Sequence, residues 1–227
     1  MKAGFGRNKQ DRFITKLNRL WKDEQDHARL AKIIDEINTL YTLNEKISNE
    51  PGVEDVVMQM FGRLANSFTN LSNIRDKKIL DIACGSNTSK APSVLFINTP
   101  FGKKTIGRRS GGYTAQFEPW FCRILYALGA NPVGIDFGDL DSEFFVHYRV
   151  DLGQIGALDF LPDHSFDAIQ DSRLFGSPEF TAQFPEERDR LKIAKEIRRQ
   201  EERLLKANGL IIHSDANALL RKSKQGN

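Results

Sequence analysis

The feature that most constrains this chain is a change in the spacing of its apolar residues near Lys78. Before that point apolar residues recur at helical spacing, and after it they form short runs separated by helical stretches. Chains that alternate strands with helices build a parallel sheet with helices on both faces. We therefore predict an α/β protein with a doubly wound, mainly parallel sheet of about five strands.

The first third of the chain is predicted to be helical. Helical spacing covers residues 13–21, 30–41 and 57–71, and Pro51 with Gly52 interrupts the pattern between the second and third stretches. We interpret residues 1–75 as a helical N-terminal cap and residues 76–227 as the ligand-binding domain.

Several of the predicted strands end on a carboxylate. The apolar runs that end before Asp136 and Asp151 and the run that reaches Asp171 have this form, and Asp81 lies inside the first run. Ligands of open parallel sheets bind outside the carboxyl ends of the strands. The pattern therefore predicts a ligand site that is built from these acids.

The segment from Lys78 to Asn87 reads KILDIACGSN and resembles the first motif of class I S-adenosylmethionine-dependent methyltransferases, D/E-x-G-x-G-x-G. Asp81 fills the acidic position, and Ala83, Gly85 and Asn87 fill the three glycine positions. Alanine is a mild replacement, and asparagine tolerates left-handed backbone angles better than most residues do.

The resemblance continues through residues 129–136, 150–152, 161–169 and 204–212, so that it spans roughly residues 78–215. It implies a Rossmann-like fold and S-adenosyl-L-methionine as the cofactor. It also implies that the acid after the second strand holds the ribose hydroxyls and that the acid after the third lies beside the adenine. The cofactor-binding residues implied are Asp81, Ala83, Cys84, Gly85, Ser86, Asn87, Asp136, Phe137, Asp151, Leu152 and Asp171.

Two rival nucleotide sites lack their motifs. A dinucleotide enzyme needs G-x-G-x-x-G, and Gly85 has no partner glycine at that spacing. The run Gly102-Lys103-Lys104-Thr105 resembles the end of a phosphate-binding loop, but Ile97 stands where the first glycine of that loop is required. Carboxylates also suit the ammonium and sulfonium of S-adenosylmethionine, whereas they would repel a pyrophosphate.

Two departures from the family pattern bear on substrate. Residues 88–116 stand where a helix should follow the glycine turn, and they carry five lysines and arginines and no acid up to residue 113. We predict that this insertion is a lid over the active site, with a surface hairpin as the alternative. The second departure is that the family's last two strands are missing. We therefore expect the sheet edge to be covered by the N-terminal segment or in a homodimer.

Asp171 and Arg173, after the fourth strand, are the predicted catalytic residues. Asp171 would make a polar contact near the methyl group, and Arg173 would orient an anionic acceptor. The segment lacks the Asn-Pro-Pro-Tyr type of motif of enzymes that methylate amino groups of nucleic acids. His213 lies in the last strand, but nothing in the sequence singles it out. Cys84 and Cys122 are not in a metal-like cluster, and no metal is predicted.

Three functions remain open. The first is a methyltransferase with a small-molecule acceptor, the second is an RNA or protein methyltransferase, and the third is a non-catalytic binding module with the same fold. Residues 1–22, with seven lysines and arginines against one aspartate, and residues 88–113 are the basic segments that RNA would contact. The net charge of only +3 favours the small acceptor. Reduced cysteines and the absence of a signal or membrane-spanning pattern lead us to expect a cytoplasmic protein with no membrane partner.

Overall fold

A computed structural model of the chain describes residues 4–21, 23–50, 52–86, 94–99, 102–108, 115–172 and 174–225. The strands are β1 (Lys78–Ile82), β2 (Val94–Thr99), β3 (Gly102–Arg108), β4 (Asn131–Asp136), β5 (Val146–Arg149), β6 (Phe166–Asp171) and β7 (Leu205–Ser214). The α-helices are α1 (Gly4–Asn18), α2 (Glu24–Tyr41), α3 (Leu43–Asn49), α4 (Val53–Ser67), α5 (Trp120–Ala127), α6 (Pro178–Gln183), α7 (Glu187–Leu204) and α8 (Asp215–Gln225). Two short 3-10 helices cover Leu71–Ile74 and Ala115–Phe117.

The main sheet has five strands in the order β5-β4-β1-β6-β7, and all of its neighbouring strands are parallel. The chain builds outward from β1 to β4 and β5, and then returns to the other side of β1 to add β6 and β7. The strand order therefore reverses between β1 and β6, the place where doubly wound folds bind their ligands. The predicted Rossmann-like α/β fold class is confirmed.

Helices cover both faces of the sheet. Successive residues of a strand point to opposite faces, so apolar residues on both sides of a strand are buried only if each face is covered. Ile79 of β1 packs in a core with the N-terminal helices and α5, whereas Leu80 and Ile82 pack in a second core with α7. Parallel strands that are buried on both faces read as nearly continuous apolar runs, and β1 has this pattern with Asp81 as its one interior polar residue.

The N-terminal helices share their core with the sheet. Phe13, Leu17 and Trp21 of the first helical stretch are buried in the same cluster as Ile79 and Ala168. Helices α2 and α4 contact α5, and α4 also contacts β7. The division of the chain near residue 75 stays a prediction, and the apolar packing is continuous across it.

The C-terminal part of the chain differs from the predicted element boundaries. The sequence predicts a charged helix from about Pro185 to Ala207, before Asn208 and Gly209, but α7 ends at Leu204 and β7 begins at Leu205. Leu205 pairs with Phe166 of β6, so strand pairing ends the helix early. Helix α8 was not predicted, and among the described residues the main sheet has no strand beyond β7.

Part of the insertion forms an antiparallel pair of strands, β2 and β3, with a register shift between Leu95 and Phe96. The basic residues Lys103, Lys104 and Arg108 belong to β3, while Lys90 and Arg109 lie outside the described residues. An antiparallel pair of strands is compatible with a lid and with a surface hairpin, so the role of the segment as a lid stays a prediction.

None of the helices in the described part of the chain is long and apolar enough to cross a membrane.

Candidate active site

The turn after β1 is tied to the end of β4. Ala83 and Gly85 both have left-handed backbone angles, with φ of 59° and 94°. The Gly85 amide donates to Oδ2 of Asp136 at 2.9 Å, and the Gly138 amide donates to Oδ1 at 2.9 Å. Burial raises the pKa of Asp136, although the amide hydrogen bonds oppose that shift. The two strand ends are thus held together by one carboxylate.

The space beside Gly85 is filled by backbone that returns from the insertion. A Cβ atom on Gly85 would lie 2.2 Å from the carbonyl oxygen of Phe117, and the Ser86 amide donates to the same oxygen at 3.0 Å. Ser86 is buried and lies against Gly138, where an added Cβ would meet its hydroxyl oxygen at 2.0 Å. The glycine in this turn is therefore required by protein packing, whatever ligand binds nearby.

Asp81 lies under the turn and is almost completely buried, with 1% of its surface exposed. Its Oδ1 accepts a hydrogen bond from Nε2 of Gln170 at 3.2 Å, and its Oδ2 accepts a weak one from the Cys122 thiol at 3.8 Å. Burial raises the pKa of Asp81 to about 7, and the hydrogen bond from Gln170 opposes part of the shift. The side chain can thus be either neutral or ionised near neutral pH.

The two cysteines lie beside this carboxyl group. Cys84 and Cys122 are free thiols and both are buried. Burial raises the pKa of Cys84 to about 11 and raises that of Cys122 well above its ordinary value. A thiol attacks as its thiolate, so neither cysteine is placed to act as a nucleophile.

The end of β4 brings together three of the predicted cofactor residues. The ring of Phe137 is 65% exposed, and the Arg149 guanidinium lies 5.7 Å from its centroid. The amide of Val150 donates to the carbonyl oxygen of Asp136 at 2.8 Å, which places Asp151 close to that acid. Asp151 accepts a hydrogen bond from the Gly153 amide at 2.9 Å.

Leu152 differs from its neighbours, because its side chain is buried in the core. Asn87 and Arg173, two further predicted site residues, lie outside the described residues. The cofactor-binding roles of the predicted set stay predictions.

Asp171 holds the start of α8. Its carboxylate is fully buried and accepts hydrogen bonds from the Ser214 hydroxyl at 3.0 Å and from the amides of Asp215 and Ala216. A carboxylate at a helix N-terminus satisfies free backbone amides and complements the helix dipole. The proposed contact with the methyl acceptor stays a prediction, and the structure gives Asp171 this helix-capping contact in addition.

Glu201 of α7 pairs with Asp171 through Ser214, a relationship that the sequence did not suggest. The Ser214 hydroxyl lies 3.2 Å from Oε2 of Glu201 and 3.0 Å from Oδ2 of Asp171. Burial, and next the charge of Asp171, raises the pKa of Glu201 to about 8. Glu201 therefore holds a proton at neutral pH.

Arg63 and Gln170, two polar residues at the carboxyl end of the sheet, were not predicted, and His213 was named without a role. The positive charge of Arg63 on α4 interacts with the negative charges of Asp81, Asp215 and Asp171. Oε1 of Gln170 is buried and has no hydrogen-bond partner among the described residues. Nε2 of His213 lies 2.8 Å from Oδ1 of Asp215, within hydrogen-bond distance. No local motif marks these residues, because strand order and helix packing bring them together.

No family model matches the chain, and no curated protein sequence matches it. Among solved structures, the selenomethionine-substituted CurJ carbon methyltransferase shows a weak likeness, with 11% sequence identity and a TM-score of 0.34. The alignment covers 90% of this chain and 48% of the other, so the chain spans about half the length of that protein. Similarity at this level carries no information on activity.

Proposed function

We propose that the chain is an S-adenosylmethionine-dependent methyltransferase with a small-molecule acceptor. The observation that carries the proposal is the junction of the turn at 83–86 with Asp136. It presents a fixed carboxylate, an exposed aromatic ring and a second acid at the ends of neighbouring parallel strands. That arrangement suits a nucleoside whose positively charged part lies toward Asp81.

The described side chains fit this cofactor on its ribose and adenine sides. Asp136 accepts hydrogen bonds from the backbone amides of Gly85, Gly138 and Phe137, and the roughly four lone-pair sites of a carboxylate leave room for a ribose hydroxyl. The exposed ring of Phe137 offers an apolar face to a base, and Asp151 would hold an exocyclic amine. When bound, the cofactor supplies a methyl group on a sulfonium, which is the electrophile of the reaction.

Asp81 would act through its charge, since its side chain is buried beneath the turn. With a pKa raised to about 7, it is only partly ionised at neutral pH. A bound ammonium favours the ionised form, so binding and deprotonation of Asp81 are linked. We therefore expect cofactor affinity to fall as the pH is lowered below about 7 and to vary much less in Asp81→Asn.

A small acceptor is favoured over RNA by the surroundings of the basic segments. Lys16 of α1 already forms an ion pair with Glu54 of α4, while Phe13 and Leu17 face the core. One face of α1 is thus used for packing, and one of its cations has a protein partner. RNA or protein methylation is the alternative, for which the strand β3 with Lys103 and Lys104 is the candidate contact.

Isothermal titration calorimetry with S-adenosylmethionine tests the proposal. We expect binding by the wild type, and at least about tenfold weaker binding by Asp136→Ala, which loses both the ribose contact and the link to Gly85. Asp55→Ala is the matched control, because Asp55 is exposed on α4. Failure of the wild type to bind would favour the non-catalytic module or an unrelated ligand.

A second titration separates the two enzyme hypotheses. Binding of a single-stranded RNA is measured at about 50 and 200 mM salt, between which phosphate contacts weaken steeply. Tight binding with a large salt dependence would replace the small acceptor with RNA. Weak binding at both concentrations, together with cofactor binding, supports the small acceptor.

A further inference from the structure

Three polar side chains form a row across the carboxyl end of the sheet. Asp81 of β1 is in register with Gln170 of β6, and Gln170 is in register with His213 of β7. Neighbouring strands lie about 4.8 Å apart, so the row, Asp81–Gln170–His213, spans roughly 10 Å. It starts under the proposed cofactor turn and ends at the last strand.

The polar row faces α4. Nε2 of Gln170 lies 3.9 Å from the sulfur of Met60, a residue of that helix. On β7, the hydroxyl of Ser214 contacts Glu201 of α7 on the opposite face. Because adjacent strand residues point to opposite faces, His213 points toward the α4 side. The same face of α4 carries Arg63, whose charge interacts with Asp81 and Asp215.

His213 is held by the first residue of α8. Its Nε2 lies 2.8 Å from Oδ1 of Asp215, and the two side chains are 34% and 31% exposed. An ionised carboxylate only accepts hydrogen bonds, so Nε2 carries the proton and Nδ1 of the neutral ring keeps its lone pair. The structure shows no hydrogen bond to Nδ1 among the residues that it describes. The ring is thus oriented, accessible and basic at one nitrogen.

We infer that His213 is the general base of the reaction and that the acceptor carries a hydroxyl group, an inference that rests on the proposed function. A hydroxyl is protonated and weakly nucleophilic, so it needs a base, whereas a neutral amine does not. Asp215 is the positioning residue that orients the ring through its contact with Nε2. A carboxylate that accepts a hydrogen bond from one ring nitrogen fixes the tautomer of the imidazole, and the other nitrogen can then accept a proton.

The proposed step moves one methyl group and one proton. The acceptor oxygen forms a bond to the methyl carbon while the carbon–sulfur bond breaks and its electron pair goes to sulfur. The hydroxyl proton passes to Nδ1 of His213, and the ring becomes an imidazolium beside Asp215. Arg63 lies on the same side, where it offsets part of the charge of the surrounding acids. The proton then leaves to solvent, which the exposure of His213 allows.

The test uses the full chain labelled with ¹⁵N and S-adenosylhomocysteine as the probe. Long-range ¹H–¹⁵N spectra report the tautomer of each imidazole, and His213→Asn identifies the signal among the four histidines of the chain. We expect His213 to carry its proton on Nε2, and Asp215→Asn to abolish that preference. When S-adenosylhomocysteine is added, the signal of the His213 ring should shift, and the dissociation constant from this shift should agree with the one from calorimetry. The signal of His164, near the amino end of β6, should stay unchanged.

The affinity arm separates this inference from the proposed function. His213→Asn should bind S-adenosylhomocysteine within about threefold of the wild type, since the inference places the His213 ring near the sulfur of the probe but without a hydrogen bond to it. If the probe binds but the His213 ring does not shift, or carries its proton on Nδ1, the inference is wrong and the proposed function stands. If the wild type does not bind the probe at all, the proposed function fails and this inference fails with it.

Discussion

The backbone amide of Gly85 donates a hydrogen bond of 2.9 Å to Oδ2 of Asp136, and this contact joins the end of β1 to the end of β4. Because the Gly138 amide holds the other oxygen, the carboxylate is fixed before any ligand arrives. Fixed polar groups bind with less loss of side-chain freedom than mobile ones. The contact thus makes the geometry of the turn a condition for the proposed ribose site.

Replacing Gly85 should disturb both the fold and this site. In Gly85→Ala the new Cβ would lie 2.2 Å from the Phe117 carbonyl oxygen at a φ of 94°. Strain and displacement together are expected to lower the free energy of unfolding by about 2 to 4 kcal/mol in urea denaturation. Gly62→Ala on α4 is the control, because a Cβ there meets nothing within 4 Å. This substitution should raise the free energy of unfolding by about 1 kcal/mol. Equal stability of the two variants would contradict the packing described at the turn.

At Ala83 the informative substitution is the reverse one, from alanine to glycine. It holds a φ of 59° at the position of the motif's first glycine, a conformation that costs a residue with a Cβ about 1 to 2 kcal/mol. Ala83→Gly should therefore leave the protein as stable as the wild type or stabilise it by up to about 1 kcal/mol, since glycine relieves the strain but adds entropy to the unfolded chain. Thermal denaturation measures this. Ala65→Gly, inside α4, should instead destabilise by about 1 kcal/mol.

The carboxyl pair of Glu201 and Asp171 should make stability depend on pH. Glu201 has its pKa raised from 4.5 to about 8, so between these values the folded chain holds a proton that the unfolded chain lacks. Unfolding then releases a proton, and the free energy of unfolding falls as the pH rises from about 5 to 8. Urea denaturation at several pH values should show a flatter dependence for Glu201→Gln. Glu202→Gln, at an exposed neighbour on α7, should keep the slope of the wild type.

A buried ion network joins α3 to α5 and to Glu143, which precedes β5. Glu118 accepts from Lys46 of α3 at 2.5 Å and from Arg123 of α5, and Arg123 also pairs with Glu143 at 2.6 Å. Loss of one charge leaves buried partners uncompensated, so Glu118→Gln is expected to cost about 3 kcal/mol or more in chemical denaturation. Breaking the exposed Lys16–Glu54 pair by Glu54→Gln should cost less than about 1 kcal/mol. A similar loss in both variants would mean that burial does not strengthen the network.

Removal of residues 99–112 tests the proposed lid. The deletion leaves Ser86, Phe117 and their hydrogen bond in the chain, so affinity for S-adenosylmethionine should stay within about threefold. Transfer of a labelled methyl group to small-molecule extracts should be lost, because a lid orients substrate and excludes water. Calorimetry and scintillation counting give the two readouts. Unimpaired transfer would show that the segment is a surface hairpin.

The sequence located those parts of the site that depend on local pattern. Asp136 was predicted at a strand end and Asp81 inside the first strand, because consecutive residues reveal apolar runs and turns. The row from Asp81 to Gln170 and His213 depends on which strands become neighbours, and a bulge between Ile169 and Gln170 changes the register on the way. No spacing along the chain reveals such a contact.

The burial of Glu201 and the existence of α8 were not predicted either, because both depend on contacts between distant parts of the chain. Glu201 looks like one more charge on a solvated helix, yet its face of α7 packs against the sheet. Helix α8 is short, and part of its start is stabilised by Asp171 from a distant strand. Long-range contacts decide both cases, and helical propensity carries little information about them.

The hydrogen bond of 3.0 Å between the Ser86 amide and the Phe117 carbonyl oxygen brings the two ends of the insertion together. A stretch of chain that leaves and rejoins a fold at one point can lengthen or shorten without moving the strands beside it. Doubling its length would cost only about 0.6 kcal/mol of closure entropy. The fold can therefore exchange this segment for another without change to the strands beneath, and under the proposed function such an exchange would alter the acceptor.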